Sequence, residues 1–275
     1  ASWRFDEAEA ALGTISSEQA ALEGANAIAY AYVSAGRMAD AIALFEEVLA
    51  DSLRILGHDH IDTLVFRGNL AGTYQVVGRF DEAISLYEEA VADSVRVFGS
   101  GHVAVLKSRN SLAGALMMVG RLDEAISLYE EVVADSVRIF GSDDLATLSV
   151  RSNLAGALLA VGRVGEAVVM FRELLADRLR VFGADHSVTI VARKSLAGVC
   201  LVAGCVDEAV ALYEEVVADQ LRVLGPDHPD TLASRGSLAG ACRSAGRLAD
   251  AITLYKDVVA DQLRVLGPDH PDTLA

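Results

Sequence analysis

The chain has 275 residues, 52% of them hydrophobic and 6% aromatic, and carries a net charge of −16. That acidic balance repels phosphate backbones and anionic lipid, so neither nucleic acid nor a membrane surface is an expected partner. No run of about 18 apolar residues occurs, the N-terminus lacks the basic-then-apolar layout of a signal peptide, and three cysteines, Cys200, Cys205 and Cys242, make no disulfide framework, which suits a soluble protein in the reducing cytoplasm.

Taken in chain order, the first element is a lone helix at Arg4–Thr14, within residues 1–15. Its opening Arg4-Phe5-Asp6-Glu7-Ala8 returns as Arg79-Phe80-Asp81-Glu82-Ala83. From there the chain is periodic. Gly36, Gly78, Gly120, Gly162, Gly204 and Gly246 follow one another at 42 residues, and a second series, Gly57, Gly99, Gly141, Gly183, Gly225 and Gly267, lies 21 residues after the first. Val216–Ala233 reappears unchanged as Val258–Ala275. The repeats run over about 18–57, 60–99, 102–141, 144–183, 186–225 and 228–267, and residues 268–275 open another.

Each repeat reads as two helices. In the second, Leu64, Leu70, Ala71, Tyr74 and Val77 fall at helical spacing in a first-type helix. Gly78-Arg79 breaks the chain. A second-type helix then sets Phe80, Ala83, Ile84, Tyr87, Val91 and Val95 on one stripe and Asp81, Glu82, Glu88, Glu89 and Asp93 on the other, and Gly99 ends it. In Gly225-Pro226-Asp227-His228-Pro229, Asp227 is the expected N-cap, with Pro229 in the first turn where its missing N–H costs nothing. Short links force antiparallel neighbours, and one pair cannot bury its apolar face alone. The expected fold is all-α: a right-handed superhelical solenoid of antiparallel helix pairs, about thirteen helices in all, forming one domain over 1–275.

The pattern of Leu70-Ala71, Tyr74, Gly78, Phe80, Ala83, Tyr87 and Ala90 resembles the tetratricopeptide repeat. The Leu-Gly-Pro-Asp-His-Pro-Asp-Thr-Leu runs at Leu224–Leu232 and Leu266–Leu274 are similar to the 42-residue variant of kinesin light chains and of many bacterial proteins, and the composition looks actinobacterial. The resemblance implies a protein- or peptide-binding scaffold with no enzymatic activity and no cofactor. It also implies a concave groove lined by the first-type helices. Carried over position by position, the groove columns are Val65, Lys107, Ser149, Val191 and Ala233; Gly68, Asn110, Ser152, Lys194 and Gly236; Gly72, Gly114, Gly156, Gly198 and Gly240; Gln75, Met117, Leu159, Leu201 and Arg243; and Val76, Met118, Ala160, Val202 and Ser244. The central candidates for ligand contact are Lys107, Asn110, Gly114, Met117, Met118, Ser149, Ser152, Gly156, Leu159, Lys194, Gly198, Leu201 and Arg243. Kinesin-type repeats carry an Asn-Asn pair before Leu-Ala. Here single asparagines stand at Asn69, Asn110 and Asn153, a departure from that grip on an extended peptide.

The mid-helix glycines each cost about 1 kcal/mol against alanine. Two reasons present themselves: close packing of neighbouring first-type helices, and room for a ligand at the wall. His60, His102, His186, His228 and His270 share one repeat position, too far apart to hold one metal ion, and read as loop and cap residues. Sixteen arginines repeat with the fold and read as architectural, whereas Lys107, Lys194 and Arg243 are off-pattern. Cys200 and Cys242 take the place of Tyr74 on the core face, and Cys205 replaces a surface arginine. The Glu88-Glu89, Glu130-Glu131 and Glu214-Glu215 pairs diverge on their helices and form no catalytic dyad. An alternative reading is a regulatory or oligomerisation module of a larger bacterial signalling protein, touching its own domains or another copy. The terminal helices read as uncapped, with Trp3, Phe5 and Leu12 at one end and Ile252, Tyr255, Val259 and Leu263 at the other. A fragment of a longer array with weak end-to-end self-association is therefore expected.

Overall fold

The computed structural model describes the backbone of residues 2–265 and 267, and side chains from residue 16 onward. The described residues form twelve α-helices and no strand. They divide into two compact units, 1–141 and 142–275. The first holds α1 (Ser2–Ser34), α2 (Met38–Ile55), α3 (Ile61–Val76), α4 (Phe80–Phe98), α5 (Val103–Met118) and α6 (Leu122–Phe140). The second holds α7 (Leu145–Ala160), α8 (Val164–Phe182), α9 (Ser187–Val202), α10 (Val206–Val223), α11 (Pro229–Ser244) and α12 (Leu248–Val265). Within each unit every helix packs on its chain neighbours, and α1 on α3, α3 on α5 and α9 on α11 add contacts between successive first-type helices. Each unit is thus a stack of antiparallel helix pairs.

Glycine sets the turns. Gly78 takes φ 81°, a conformation that L side chains avoid. It lets the Arg79 N–H donate back to the Tyr74 carbonyl at 2.9 Å, the six-to-one bond that closes a helix end. Gly99, also at φ 81°, closes α4 in the same register as the sequence reading. The first helix departs from that reading. Where a lone Arg4–Thr14 helix and a separate first-type helix are expected, α1 runs unbroken from Ser2 to Ser34. The 42-residue register puts Ile15, not glycine, at the position of Gly57 and Gly99. A β-branched residue resists positive φ, so the helix continues through the expected break. This merger brings the count to twelve. The apolar side chains at Trp3, Phe5 and Leu12, and residues 268–275, lie outside the described residues.

The helix starts are capped by the histidine column. The Nδ1 of His60, His102, His186 and His228 accepts a hydrogen bond from the backbone N–H two residues on, at 3.1–3.3 Å. The Asp144 carboxylate does the same at 2.8 Å in the repeat without histidine. The cap of α11 is therefore His228 rather than Asp227, with Pro229 in the first turn as expected. Asp227 instead accepts from the Arg264 guanidinium at 3.0 Å.

All sixteen periodic arginines form ion pairs within the fold. The aspartate near the end of each second-type helix is the junction. Asp177 accepts from Arg151 of α7 at 2.7 Å through one oxygen and from Arg180 of its own helix at 3.3 Å through the other. Arg180 also reaches Asp143 in the loop before α7. One carboxylate thus ties two helices and a loop. Burial differs between repeats: the Arg67 side chain is 1% exposed and pairs with Asp93 and Glu89, whereas Arg109 is 18% exposed.

A buried charge stripped of its partner costs about 3–5 kcal/mol, an exposed pair no more than about 1 kcal/mol. Glu89 stays beside Arg67 and lessens the loss. Asp93→Ala is therefore expected to lower stability by about 3 kcal/mol and Asp135→Ala by about 1 kcal/mol. Denaturant melts of the two variants, with equal losses, would contradict the architectural ranking.

Candidate functional site

The core sets which side chains face outward. In the second unit Val210 and Tyr213 of α10 pack with Leu238, Ala241 and Cys242 of α11 in one buried cluster. Leu238, Ala241 and Cys242 of the first-type helix α11 thus meet the apolar stripe of α10, the second-type helix before it. The opposite flank of each first-type helix is left to solvent. All five groove columns lie there. The Val65 and Val76 columns are exposed throughout, and the Gly68 and Gly72 columns are half-buried.

In the first unit, Lys107 and Met118 are exposed on α5, and Asn110, Gly114 and Met117 are half-buried. A cleft of about 540 Å³ opens between α3 and α5 over the C-terminal half of α4, lined by Ile61, Val65, Gly68, Phe98, Val103 and Lys107 among others. In the second unit, Ser149 is exposed and donates to its own helix at the Leu145 carbonyl (2.7 Å), while Ser152 and Gly156 are half-buried. A cleft of about 410 Å³ between α7 and α9 brings together Leu159, Lys194 and Gly198 with Phe171, Val191 and Tyr213. Leu201 leans on the core cluster and is partly structural. Arg243 is exposed on α11. The expected apolar floor is thus described in two parts, Met117 and Met118 in one unit, Leu159 and Leu201 in the other. The α3 asparagine is engaged by the fold: Asn69 accepts from the Tyr30 hydroxyl at 2.7 Å and donates to Asn26 at 2.9 Å.

The sequence reading missed the aromatic partners of the glycine column. A Cβ added at Gly72, Gly114, Gly198 or Gly240 would lie 3.5–3.6 Å from the hydroxyl of Tyr87, Tyr129, Tyr213 or Tyr255. These are ordinary contact distances, and the nearest atom in each case belongs to a tyrosine of the same repeat's second-type helix rather than to a neighbouring first-type helix. Gly156 has nothing within 4 Å, because Phe171 stands at the tyrosine position and lacks the hydroxyl. The signal was present as a tyrosine fifteen residues after four of the five glycines, and reading it needs the helix-pair geometry.

Charge distinguishes the two clefts further. Among the described residues, the accessible basic side chains with no carboxylate in ion-pair reach are Lys107, Lys194, Arg243 and Lys256, and the first two sit in the clefts. Two of the cysteines are buried and poorly suited to act as nucleophiles. Burial pushes the Cys200 thiol up to about 11 and raises that of Cys242 as well. Cys205 leaves Glu208 without the arginine that Glu82, Glu124 and Glu166 enjoy. Arg172, at a position where Glu88, Glu130 and Glu214 stand, supplies the charge through two bonds at 3.1 and 2.6 Å. That bidentate pair holds the Glu208 carboxyl below its ordinary range. No helix among the described residues is long and apolar enough to cross a membrane, and none of their His, Cys, Asp and Glu side chains gather in threes as a metal cage.

Stacked antiparallel helix pairs with glycine-set turns every 21 residues define a helical-repeat protein of the scaffold class. The chain belongs to the tetratricopeptide repeat family, whose signature matches residues 18–94, 62–134, 104–180 and 187–263. It is similar to the crystal structure of nearly identical TPR-like repeats from a Podosopora anserina protein described as a kinesin light chain, at 34% identity over 74% of this chain and 97% of that one, TM-score 0.68. BtubC (BKLC) from P. vanneervenii shares the fold at 20% identity, over 85% of this chain and 94% of that one, TM-score 0.72. A Rap protein crystallised with Competence and Sporulation Factor shares it at 12% identity, over 86% and 74%, TM-score 0.56. No curated protein matches the sequence. Tetratricopeptide repeats are in general non-enzymatic scaffolds for protein–protein interaction.

The glycine fit gives a common expectation. Alanine relieves a mid-helix glycine of about 1 kcal/mol of helix cost. Gly156→Ala, with open space, and Gly198→Ala, whose Cβ would meet the Tyr213 hydroxyl at an ordinary contact distance of 3.6 Å, should each gain about 1 kcal/mol. Thermal or denaturant melts decide it. A loss at Gly156 would show a packing constraint there that the structure lacks.

Proposed function

We propose that the chain binds protein or peptide segments in the clefts between successive first-type helices. The observation that carries this reading is the pairing, in each unit, of an apolar cleft with a lysine that the fold leaves unpaired. A cleft of several hundred cubic ångströms takes one or two apolar side chains of a ligand, and the hydrophobic gain there supplies affinity. The lysine ammonium then fixes the direction of the segment by reaching a carboxylate. In a chain of charge −16, an acidic ligand is favoured only at the few unpaired bases, and the two lysines are those that also offer an apolar cleft. The half-buried Leu159 supports the apolar part, and Val191 and Phe171 flank it. That other members of the fold have been crystallised with a partner, as the Rap protein was with Competence and Sporulation Factor, agrees with a ligand-binding role. The acidic surface argues against nucleic acid and anionic membranes as alternatives. The buried thiols suit a cytoplasmic setting.

A library of apolar–acidic peptides displayed against the chain tests the reading. Selected peptides should lose binding to Leu159→Asp, and bind Lys194→Glu at least about tenfold more weakly, as expected when an ion pair becomes a repulsion. Helical circular dichroism should stay unchanged. Full affinity in both variants would place the site elsewhere on the molecule.

A further inference from the structure

One buried position of the second-type helices changes its chemistry in α8. Ser52, Ser94, Ser136 and Gln220 occupy it in four repeats, and all four are buried. In α8 the residue is Arg178, which is 7% exposed. The position matters because of where it lies. In the first unit Ser94 lines the cleft between α3 and α5. In the second unit the corresponding place, between α7 and α9, holds a guanidinium.

That guanidinium has no counter-ion among the described residues. Its Nη1 donates to the Val188 carbonyl of α9 at 3.4 Å and its Nη2 to the Leu148 carbonyl of α7 at 3.5 Å. Both distances stand at the outer edge of hydrogen bonding. Its buried Nε–H has no acceptor. Burial lowers its pKa, and no carboxylate holds it up. Arg193, as deeply buried in the same unit, is met by both Glu215 and Asp219. A buried charge without a partner weakens a fold, and serine or glutamine fills the position elsewhere without that cost. The surroundings suit an incoming anion. In a chain of charge −16, α7 and α9 carry no Asp or Glu over their whole length. Their Arg151 and Arg193 are tied to Asp177 and Asp219, which leaves Lys194 and Arg178 as the bases not yet used. Arg178 adjoins the cleft that holds Leu159 and Lys194: Phe171 of that cleft lies roughly two turns before it on α8, and Val191 one turn beyond Val188 on α9.

We propose that Arg178 is a buried anchor for a ligand carboxylate, which enters between α7 and α9 and accepts hydrogen bonds from the guanidinium while Lys194 attracts it at the rim. The inference rests on the reading that these clefts take a ligand segment, and it names the group that the second unit's cleft selects. The Nε–H and one Nη form the planar edge that a carboxylate accepts in parallel, and the two long carbonyl bonds are weak enough to yield to it. The two clefts then differ in kind. The first has a serine floor and an exposed lysine, Lys107, and tolerates an acid; the second has a charged floor and requires one.

The test uses Arg178→Gln, which installs the residue of the next repeat, and three capped dipeptides as probes: acetyl-Leu-Glu-amide, acetyl-Leu-Gln-amide, and acetyl-Leu-Gln with a free C-terminus. The Arg178 Nε–H resonance of arginine-labelled protein, assigned by its loss in Arg178→Gln, reports the contact. It should shift saturably with the glutamate probe or with the free C-terminus, and the stronger of the two tells which carboxylate the site takes. It should not move with the neutral probe or with inorganic phosphate at equal ionic strength. Arg178→Gln should bind the acidic probe at least about tenfold more weakly and the neutral probe unchanged. It should also melt at a higher temperature than the unaltered chain, because the buried charge is gone. A lower melting temperature would make Arg178 a strut between α7 and α9 and overturn the proposal, as would an equal shift with phosphate. If a probe binds around Leu159 while the Arg178 resonance stays still, the clefts take ligands and this inference alone fails. No binding of any probe at millimolar concentration would overturn both.

Discussion

A helix pair of this kind cannot bury its apolar stripe on its own, and the leucine of the next first-type helix is what closes it. In the second unit Leu238 over Val210 and Tyr213 is that contact. Burying a leucine and the residues under it contributes about 1.5–3 kcal/mol for each large side chain, so the stack gains stability with each repeat added rather than from one central core. The constraint dictates the rest. One flank of α11 is committed to the α10 stripe and another to its own partner α12, and on first-type helices what remains is the flank where the clefts form. The positions proposed to face a ligand are therefore a consequence of how the stack holds together.

Electrostatics follow the same logic. The repeated arginines are consumed by the fold, tied to aspartates that join helix to helix and helix to loop. The exposed pairs among them contribute little singly, and their regular placement fixes register more than it adds stability. Because the periodic charges are spoken for, the aperiodic ones stand out. Lys107 and Lys194 depart from the repeat and fall in clefts. Arg172 departs from it and compensates for the arginine missing at Cys205. Departures from periodicity are thus of two kinds, those that repair the scaffold and those that the scaffold does not use.

Much of the fold was legible because a 42-residue period makes every local rule speak several times over. The turn glycines, the second-type stripes and the arginine–aspartate spacing of three all stand in the structure as the pattern implies. The merged α1 was less legible, since Arg4-Phe5-Asp6 mimics a repeat start while Ile15 silently removes the break. His228 as cap was hidden by the neighbouring Asp227, a stronger capper by type that sits one residue too early. Of the candidate site, the outward direction of the five columns could be carried over from the family. Burial depth could not: Leu201 rests partly in the core while Val202 beside it is open. Nor could the link between glycine and tyrosine hydroxyl, which joins two helices across a turn.

The central claim is that ligands seat on the outward flank of the first-type helices. Hydrogen–deuterium exchange with and without a selected apolar–acidic peptide tests it most directly. Protection is expected at α7 and α9, around Leu159 and Lys194, or at α3 and α5 around Lys107, with α8 and α10 unchanged. Protection confined to the acidic faces of the second-type helices would contradict the account.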